Sequence, residues 1–219
     1  MWPDYGWLNE QALFRRKASA RGNHSWMLMF PWTWVILGEM TDRINLDSMH
    51  DRHRALTEAI AGTYREAASV CLSRHHKAPV VITVSDDGTE SEAEVVWITP
   101  DSKTLGAWAN TTDATEAGAY GFVIAGLEYI RGLFAVRRAE TGTGADYYVG
   151  PYGSGEEDLE ACLRLEVSGV DGGNREVVAA RLGAKVRQAQ RGSSNLPALA
   201  GVIGFSAKLL MVRDVPEEM

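Results

Sequence analysis

Apolar positions recur at Leu56, Ile60, Tyr64, Ala68 and Cys71 within residues 48–74, a helical spacing. It predicts one long amphipathic helix with Ser48 as its N-cap and Pro79 ending helical character. The β-branched run VVITV (80–84) and AEVVWIT (93–99) flank a polar tract that contains Asp87-Gly88, the pattern of a β-hairpin. A second helix is expected from 113 to about Ile130. Thr112 or Asp113 would cap it, Asp113-x-x-Glu116 resembles a capping box, and Gly132 would close it. The period then changes. LFAVRRAE (133–140), ADYYVG (145–150) and ACLRLEVSG (161–169) read as strands, joined by the tight turn TGTG (141–144) and the loop PYGSGEED (151–158). Residues 175–191 read as a helix capped by Asn174, and 198–215 hold a final strand, split or bent near Gly204. From 113 onward the expected order is helix, strand, strand, strand, helix, strand. This is a mixed α/β fold, divided at 1–110 and 111–219 into a helical and β-hairpin extension and a core.

Composition narrows the classes of function. The chain has 219 residues, 22 Lys and Arg against 29 Asp and Glu, and a net charge of −7. A broad basic coat for tight, salt-sensitive nucleic-acid binding is therefore absent, although a local basic groove remains compatible. Residues 1–129 carry 11 basic and 17 acidic groups, and 130–219 carry 11 and 12. The acidity thus lies ahead of the expected core. Cys71 and Cys162 have no metal-type spacing and read as free thiols in a reducing, cytoplasmic compartment. The apolar run WMLMFPWTWVIL (26–37) is shorter than the roughly 20 residues of a membrane span, so no membrane is expected. It lacks interleaved Arg or Lys, which favours core or dimer packing over base stacking. The stretch 1–25 is polar, with a loose tip.

Two carboxylates stand out by position. In CLRLEV, alternation sets Leu163, Leu165 and Val167 on one strand face and Cys162, Arg164, Glu166 and Ser168 on the other. Asp146 and Tyr148 share a face of the preceding strand. If the two strands are neighbours, Asp146 and Glu166 lie side by side, a hard oxygen site suited to Mg2+ or Mn2+. Such a site acidifies a bound water and offsets charge on a phosphoryl group. The bland alternative is a pair of surface acids at a sheet edge.

The element order, with GTGADYY supplying Asp146 and LEVSG supplying Glu166-x-Ser168, resembles the PD-(D/E)XK nuclease superfamily over about residues 113–215. The resemblance implies a restriction-endonuclease-like core and metal-dependent hydrolysis of nucleic-acid phosphodiesters, in bacterial defence, restriction or repair. Antiphage systems are one such setting. Ser168 stands where that superfamily usually has its catalytic lysine. Some members carry the lysine on the following helix, where the candidate here is Lys185. Arg181, Lys185 and Gln188 form one helical stripe, facing either the site or solvent. The resemblance gives Lys185 the place of the missing lysine, with Gln188 orienting water or substrate. It also implies a further metal carboxylate on the first core helix. Glu116 is favoured over Glu128 there, although a capping role at the helix start is the better explanation of Glu116.

Two other readings compete. Ser168 suits a catalytically inactive relative that binds a protein partner, as a homodimer or within a larger defence complex. A structural α/β domain without nucleic acid is the third. His50-x-x-His53 lacks a third ligand for zinc, and His75 and His76 complement a helix C-terminus. The glycine turns are not phosphate loops, and no nucleophile elbow is present.

Overall fold

The computed structural model describes residues 29–30, 33–34, 42–155, 157, 159–192 and 194–216. The chain divides into two compact units, Met1–Thr41 and the part from Asp42 onward. In the first, β1 (Met29–Phe30) and β2 (Thr33–Trp34) pair antiparallel. The rest of the apolar run 26–37 and the polar stretch 1–25 lie outside the described residues, and with them the packing role expected of that run.

The second unit begins with β3 (Arg43–Ile44) and the short helix α1 (Met49–Arg52). The single helix expected over 48–74 is thus two. Ser48 makes no side-chain cap and sits at a positive φ of 48°. Thr57 instead caps α2 (Glu58–His75), its hydroxyl accepting from the Ile60 N–H. The break has a tertiary cause. His53, fully buried, accepts from the Ala135 N–H through Nδ1 at 3.1 Å. Its Nε2 therefore carries the proton and donates to Glu128 at 2.9 Å. Arg52 Nε donates to the other Glu128 oxygen at 2.7 Å. Periodicity along the chain cannot register a partner about 75 residues away.

β4 (Val80–Asp86) and β5 (Thr89–Val95) form the expected hairpin, with a tighter turn. Asp87 and Gly88 both adopt positive φ, 46° and 84°. This matches a two-residue type I′ turn, so the polar tract after Gly88 is strand rather than loop. Glu90, Glu92 and Glu94 alternate onto its exposed face. A short α3 (Ser102–Ala107) leads to α4 (Thr111–Arg131). Asn110 caps α4, its carboxamide oxygen accepting from Thr112 N–H and Asp113 N–H. The expected cap at Thr112 or Asp113 thus lies inside the helix. Gly132 ends it at φ 64°, as its position implied.

β6 (Leu133–Arg138), β7 (Tyr147–Pro151) and β8 (Leu163–Val170) are consecutive and antiparallel. α5 (Arg175–Gln190) follows, capped by Asn174. The final stretch is two strands, β9 (Ala198–Gly204) and β10 (Leu209–Val215), antiparallel about a turn at Phe205–Lys208. The eight-stranded mixed sheet runs β3-β5-β4-β10-β9-β8-β7-β6, with β3–β5, β4–β10 and β8–β9 parallel. The β4–β5 hairpin, within the stretch expected as an extension, is therefore continuous with the core sheet.

Three layers result. α2 and α4 cover one sheet face with Leu72, Phe122, Ile124 and Leu127 against Leu165, Leu199, Ile203 and Leu210. Gly118 lets the two helices approach closely, since a Cβ there would meet the Ala68 backbone at 3.0 Å. α5 covers the other face, where Val178 and Leu182 pack on Val170, Ala200 and Val202. Among the described residues no helix is long and apolar enough to cross a membrane.

Burial opposes charge on Glu128, but the hydrogen bonds from His53 and Arg52 together outweigh it and hold this carboxyl below its ordinary value of 4.5. A depressed carboxyl adds stability above the unfolded value, and that increment is lost as pH falls through the folded value. Glu128→Gln should therefore lower the urea midpoint at neutral pH, and the gap to wild type should narrow as the pH falls below the ordinary carboxyl value and through the lower folded one. Urea unfolding across this pH range measures this; a gap that does not change with pH would exclude the charge as its source.

Candidate functional site

β8 sends two charged side chains toward α5, Arg164 and Glu166, and both are buried. Sequence alternation had put them on one face. Glu166 Oε1 accepts from Lys185 Nζ at 2.6 Å, and Lys185 also donates to Gln188 Oε1 at 3.1 Å. Of the stripe Arg181, Lys185 and Gln188, the middle residue thus turns to the sheet, while Arg181 is exposed. Burial raises the Glu166 carboxyl above its ordinary value; the Lys185 hydrogen bond opposes this and the Asp146 charge adds to it.

Asp146 lies one residue before β7 rather than within it. The connection from β6 spans 139–146, longer than the four-residue turn expected. Its length has a packing reason. Arg164 Nη1 donates to the Thr143 carbonyl at 2.8 Å and to the Ala189 carbonyl in the last turn of α5 at 3.1 Å. Arg164 Nε donates to the Leu196 carbonyl at 2.9 Å. One guanidinium thereby fastens the 139–146 loop and the chain before β9 to the negative end of α5. Gly144 and Gly192 meet at this junction, where a Cβ on Gly192 would lie 2.0 Å from the Thr143 oxygen.

The Tyr147–Leu165 pair, extended by one step, sets Asp146 against Glu166. The Asp146 carboxylate is held from two sides. Oδ1 accepts from the Tyr120 hydroxyl at 2.8 Å, and Oδ2 accepts from the Val167 N–H at 2.8 Å. Arg138 lies 3.8 Å from Oδ1. A cleft of about 480 Å³ opens here, lined by Arg138, Asp146, Glu166, Gln188 and Arg191 together with the glycine-rich loop. Two carboxylates face two nearby cations, Lys185 and Arg138.

The remaining sequence candidates fall elsewhere. Glu116 is exposed on α4 and is not among the residues lining the cleft. Tyr120, one turn further on, is the α4 residue that reaches Asp146. Glu128 is committed to Arg52 and His53. His50 pairs with Asp51 at 3.4 Å, apart from its i+3 neighbour His53, which is turned to Glu128. His75 lies 3.4 Å from Asp171, and His76 is bonded to the Phe205 carbonyl. Ser168, two residues beyond Glu166 on the same face, is half-buried.

Comparison of the chain with family models, with curated proteins and with solved structures finds no match in any of them. The chemistry must be read from the cleft itself. Among the described residues no group of three or more His, Cys, Asp or Glu side chains could hold a metal ion. A pair of carboxylates is nevertheless a sufficient protein contribution for Mg2+, which keeps several waters and takes further oxygens from substrate phosphate. The oxygen-only pair Asp146 and Glu166 fits that donor set.

Sequence reasoning missed Tyr120, Arg138 and Arg191. Arg164 was placed on the correct face but assigned no role. Its signal was a charge in a strand of otherwise apolar neighbours, which needs a partner.

Gly192→Ala must displace either Thr143 or Arg164. It should destabilise by on the order of 1–3 kcal/mol, the usual cost of overpacking. The denaturant midpoint measures this, and an unchanged midpoint would show that the loop does not pack on the end of α5.

Proposed function

We propose that the protein is a metal-dependent phosphodiesterase of the PD-(D/E)XK nuclease type, hydrolysing nucleic acid at the cleft between the 139–146 loop and the end of α5. The observation that carries this reading is the Lys185 ammonium bonded across the helix–sheet interface to Glu166, which lines the cleft together with Asp146 while Lys185 stands behind it. The order of α4, β6, β7, β8, α5 and β9 supports it as well.

Asp146 and Glu166 would hold Mg2+ or Mn2+, which when bound would offset charge on a phosphoryl oxygen and acidify a water. The chain's own residues do the positioning. Tyr120 and the Val167 N–H fix the Asp146 carboxylate, so little orientation is left to lose on binding. Lys185 reaches Glu166 from α5 and would take the part that the superfamily usually gives to a strand lysine, where Ser168 stands here. Its charge offsets negative charge developing on the phosphoryl oxygens. Gln188, bonded to Lys185 through its carbonyl, has its amide NH2 left to orient water or substrate.

A second reading, an inactive nuclease-fold subunit that binds protein, is favoured by the exposed acidic row Glu90, Glu92 and Glu94 on β5. Glu90 pairs with Arg175 and Glu94 with Arg43, so it is a mixed charged surface centred on Glu92 that would meet the partner.

A cleavage assay with Mg2+ on single- and double-stranded DNA and RNA separates the two. Asp146→Asn and Glu166→Gln should abolish turnover, and Lys185→Ala should lower it at least about 100-fold. Ser168→Lys in the Lys185→Ala chain should restore part of it. Cleavage that survives Glu166→Gln would remove the catalytic reading, and no cleavage by wild type would leave the binding subunit.

A further inference from the structure

Arg138 occupies its place through a local irregularity. Along β6 the register shifts between Ala135 and Arg137, a β-bulge at Val136. Ala135 opposes Val149, and both belong to the core under α4. Without the extra residue Arg137 would follow onto that face against Tyr147. With it, Arg138 opposes Tyr147 and Arg137 turns away to pair with Glu140. Bulges beside functional sites commonly re-aim one side chain in this way.

The guanidinium so placed is stacked on aromatic rings. Its carbon lies 4.6 Å from the centroid of Tyr120 and 4.6 Å from that of Tyr147. Tyr64 and Tyr147 share a hydrogen bond of 2.8 Å, which braces the aromatic group. The polar contacts of Arg138 are weak by comparison. It reaches the Tyr120 hydroxyl at 3.3 Å and the Tyr64 hydroxyl at 3.5 Å, and Asp146 lies 3.8 Å away, beyond hydrogen-bond length. The ring faces hold the planar group in one orientation without using its donors, and the long contacts of two of its nitrogens to the Tyr64 and Tyr120 hydroxyls are ones a phosphate can replace. The side chain is half exposed, at 49%, and lines the cleft.

We infer that Arg138 is the anion-binding fork of this cleft, taking two oxygens of one phosphate of a nucleic-acid strand beside Asp146 and Glu166. The assignment of the phosphate to nucleic acid rests on the function proposed above; the fork itself rests on the bulge, the tyrosines and the cleft. A guanidinium fork matches phosphate bidentately, and prior ordering by the rings reduces the conformational cost of binding. Lys185, already engaged by Glu166, is less free for this task. With a net charge of −7 the protein has no general attraction for a polyanion, so a single ordered contact weighs heavily.

The test uses the full chain in EDTA, where metal-dependent turnover cannot proceed. Fluorescence anisotropy follows a labelled single-stranded oligonucleotide, and calorimetry follows inorganic phosphate. Arg138→Gln should weaken oligonucleotide binding at least about tenfold and reduce the slope of log affinity against log salt by about 0.7, one phosphate contact on a single strand. Arg138→Lys keeps the charge but loses the planar fork, and should recover less than half of the loss on a logarithmic scale. If Arg138→Gln does not fold, as judged by thermal unfolding, Arg138→Lys carries the comparison alone. Equal affinity and slope in wild type and Arg138→Gln would overturn the assignment, as would full recovery by Arg138→Lys. Wild-type binding of phosphate that Arg138→Gln abolishes, without oligonucleotide binding, would keep the fork and refute the nucleic-acid substrate. Oligonucleotide cleavage dependent on Asp146 but indifferent to Arg138→Gln would keep the nuclease and refute the fork.

Discussion

A β-strand that buries both a guanidinium and a carboxylate on one face fixes what must lie above it. Unpaired charge in a protein interior is too costly to persist, so Arg164 and Glu166 each require a partner from the layer that covers them. α5 supplies both. Its Lys185 meets Glu166, and its final carbonyls, with the dipole behind them, meet Arg164. Further along, Val178 and Leu182 cover Val170. These three contacts set the direction and position of α5 across β8. A shift of α5 by one turn, about 5.4 Å, would leave both charges unmatched.

The cleft follows from the same constraint. Arg164 spends donors on Thr143 and Leu196 as well, so the loop before Asp146 and the chain entering β9 are drawn to the end of α5. The loop then delivers Asp146 opposite Glu166, where the start of β7 leaves the Val167 N–H to the Asp146 side chain. On the opposite sheet face, close packing of α2 and α4 brings Tyr64 and Tyr120 together at 5.4 Å between ring centroids. The bulge in β6 turns Arg138 onto them. The floor of the cleft, its carboxylates and its cations therefore come from several elements, none of which builds the site alone.

Ion pairs elsewhere have structural work of their own. Arg131 at the end of α4 binds Asp86, Asp87 and Asp214, joining the β4–β5 turn to the end of β10. Burial opposes its charge, but its hydrogen bonds to Asp86 and Asp214 more than offset this, and the guanidinium stays protonated. Arg52, His53 and Glu128 do the same at the other edge, tying α1 to α4 and β6. Both networks lie apart from the cleft lining and account for conspicuous acids that composition cannot distinguish from ligands.

What the amino-acid order determined by itself was local. Period-2 alternation in CLRLEV assigned Glu166 and Arg164 to one face; the glycine at 132 and the asparagine at 174 marked helix ends; Asp87-Gly88 marked a hairpin. These signals act over a few residues, where backbone sterics and hydrogen bonding decide the outcome. The pairing of Lys185 with Glu166 was foreseen as one of two orientations of a helical stripe, because a helix carries no record of which face its neighbours will take. Tertiary structure chose the inward one. The split of the last strand at Gly204 was legible in the sequence, but tertiary structure broke the 48–74 helix at His53, lengthened the loop before Asp146 and set Arg138 rather than Arg137 beside the tyrosines. Each of these rests on a partner outside the segment itself, whether Glu128, Arg164 or Tyr147, whose nearness exists only once the sheet has formed.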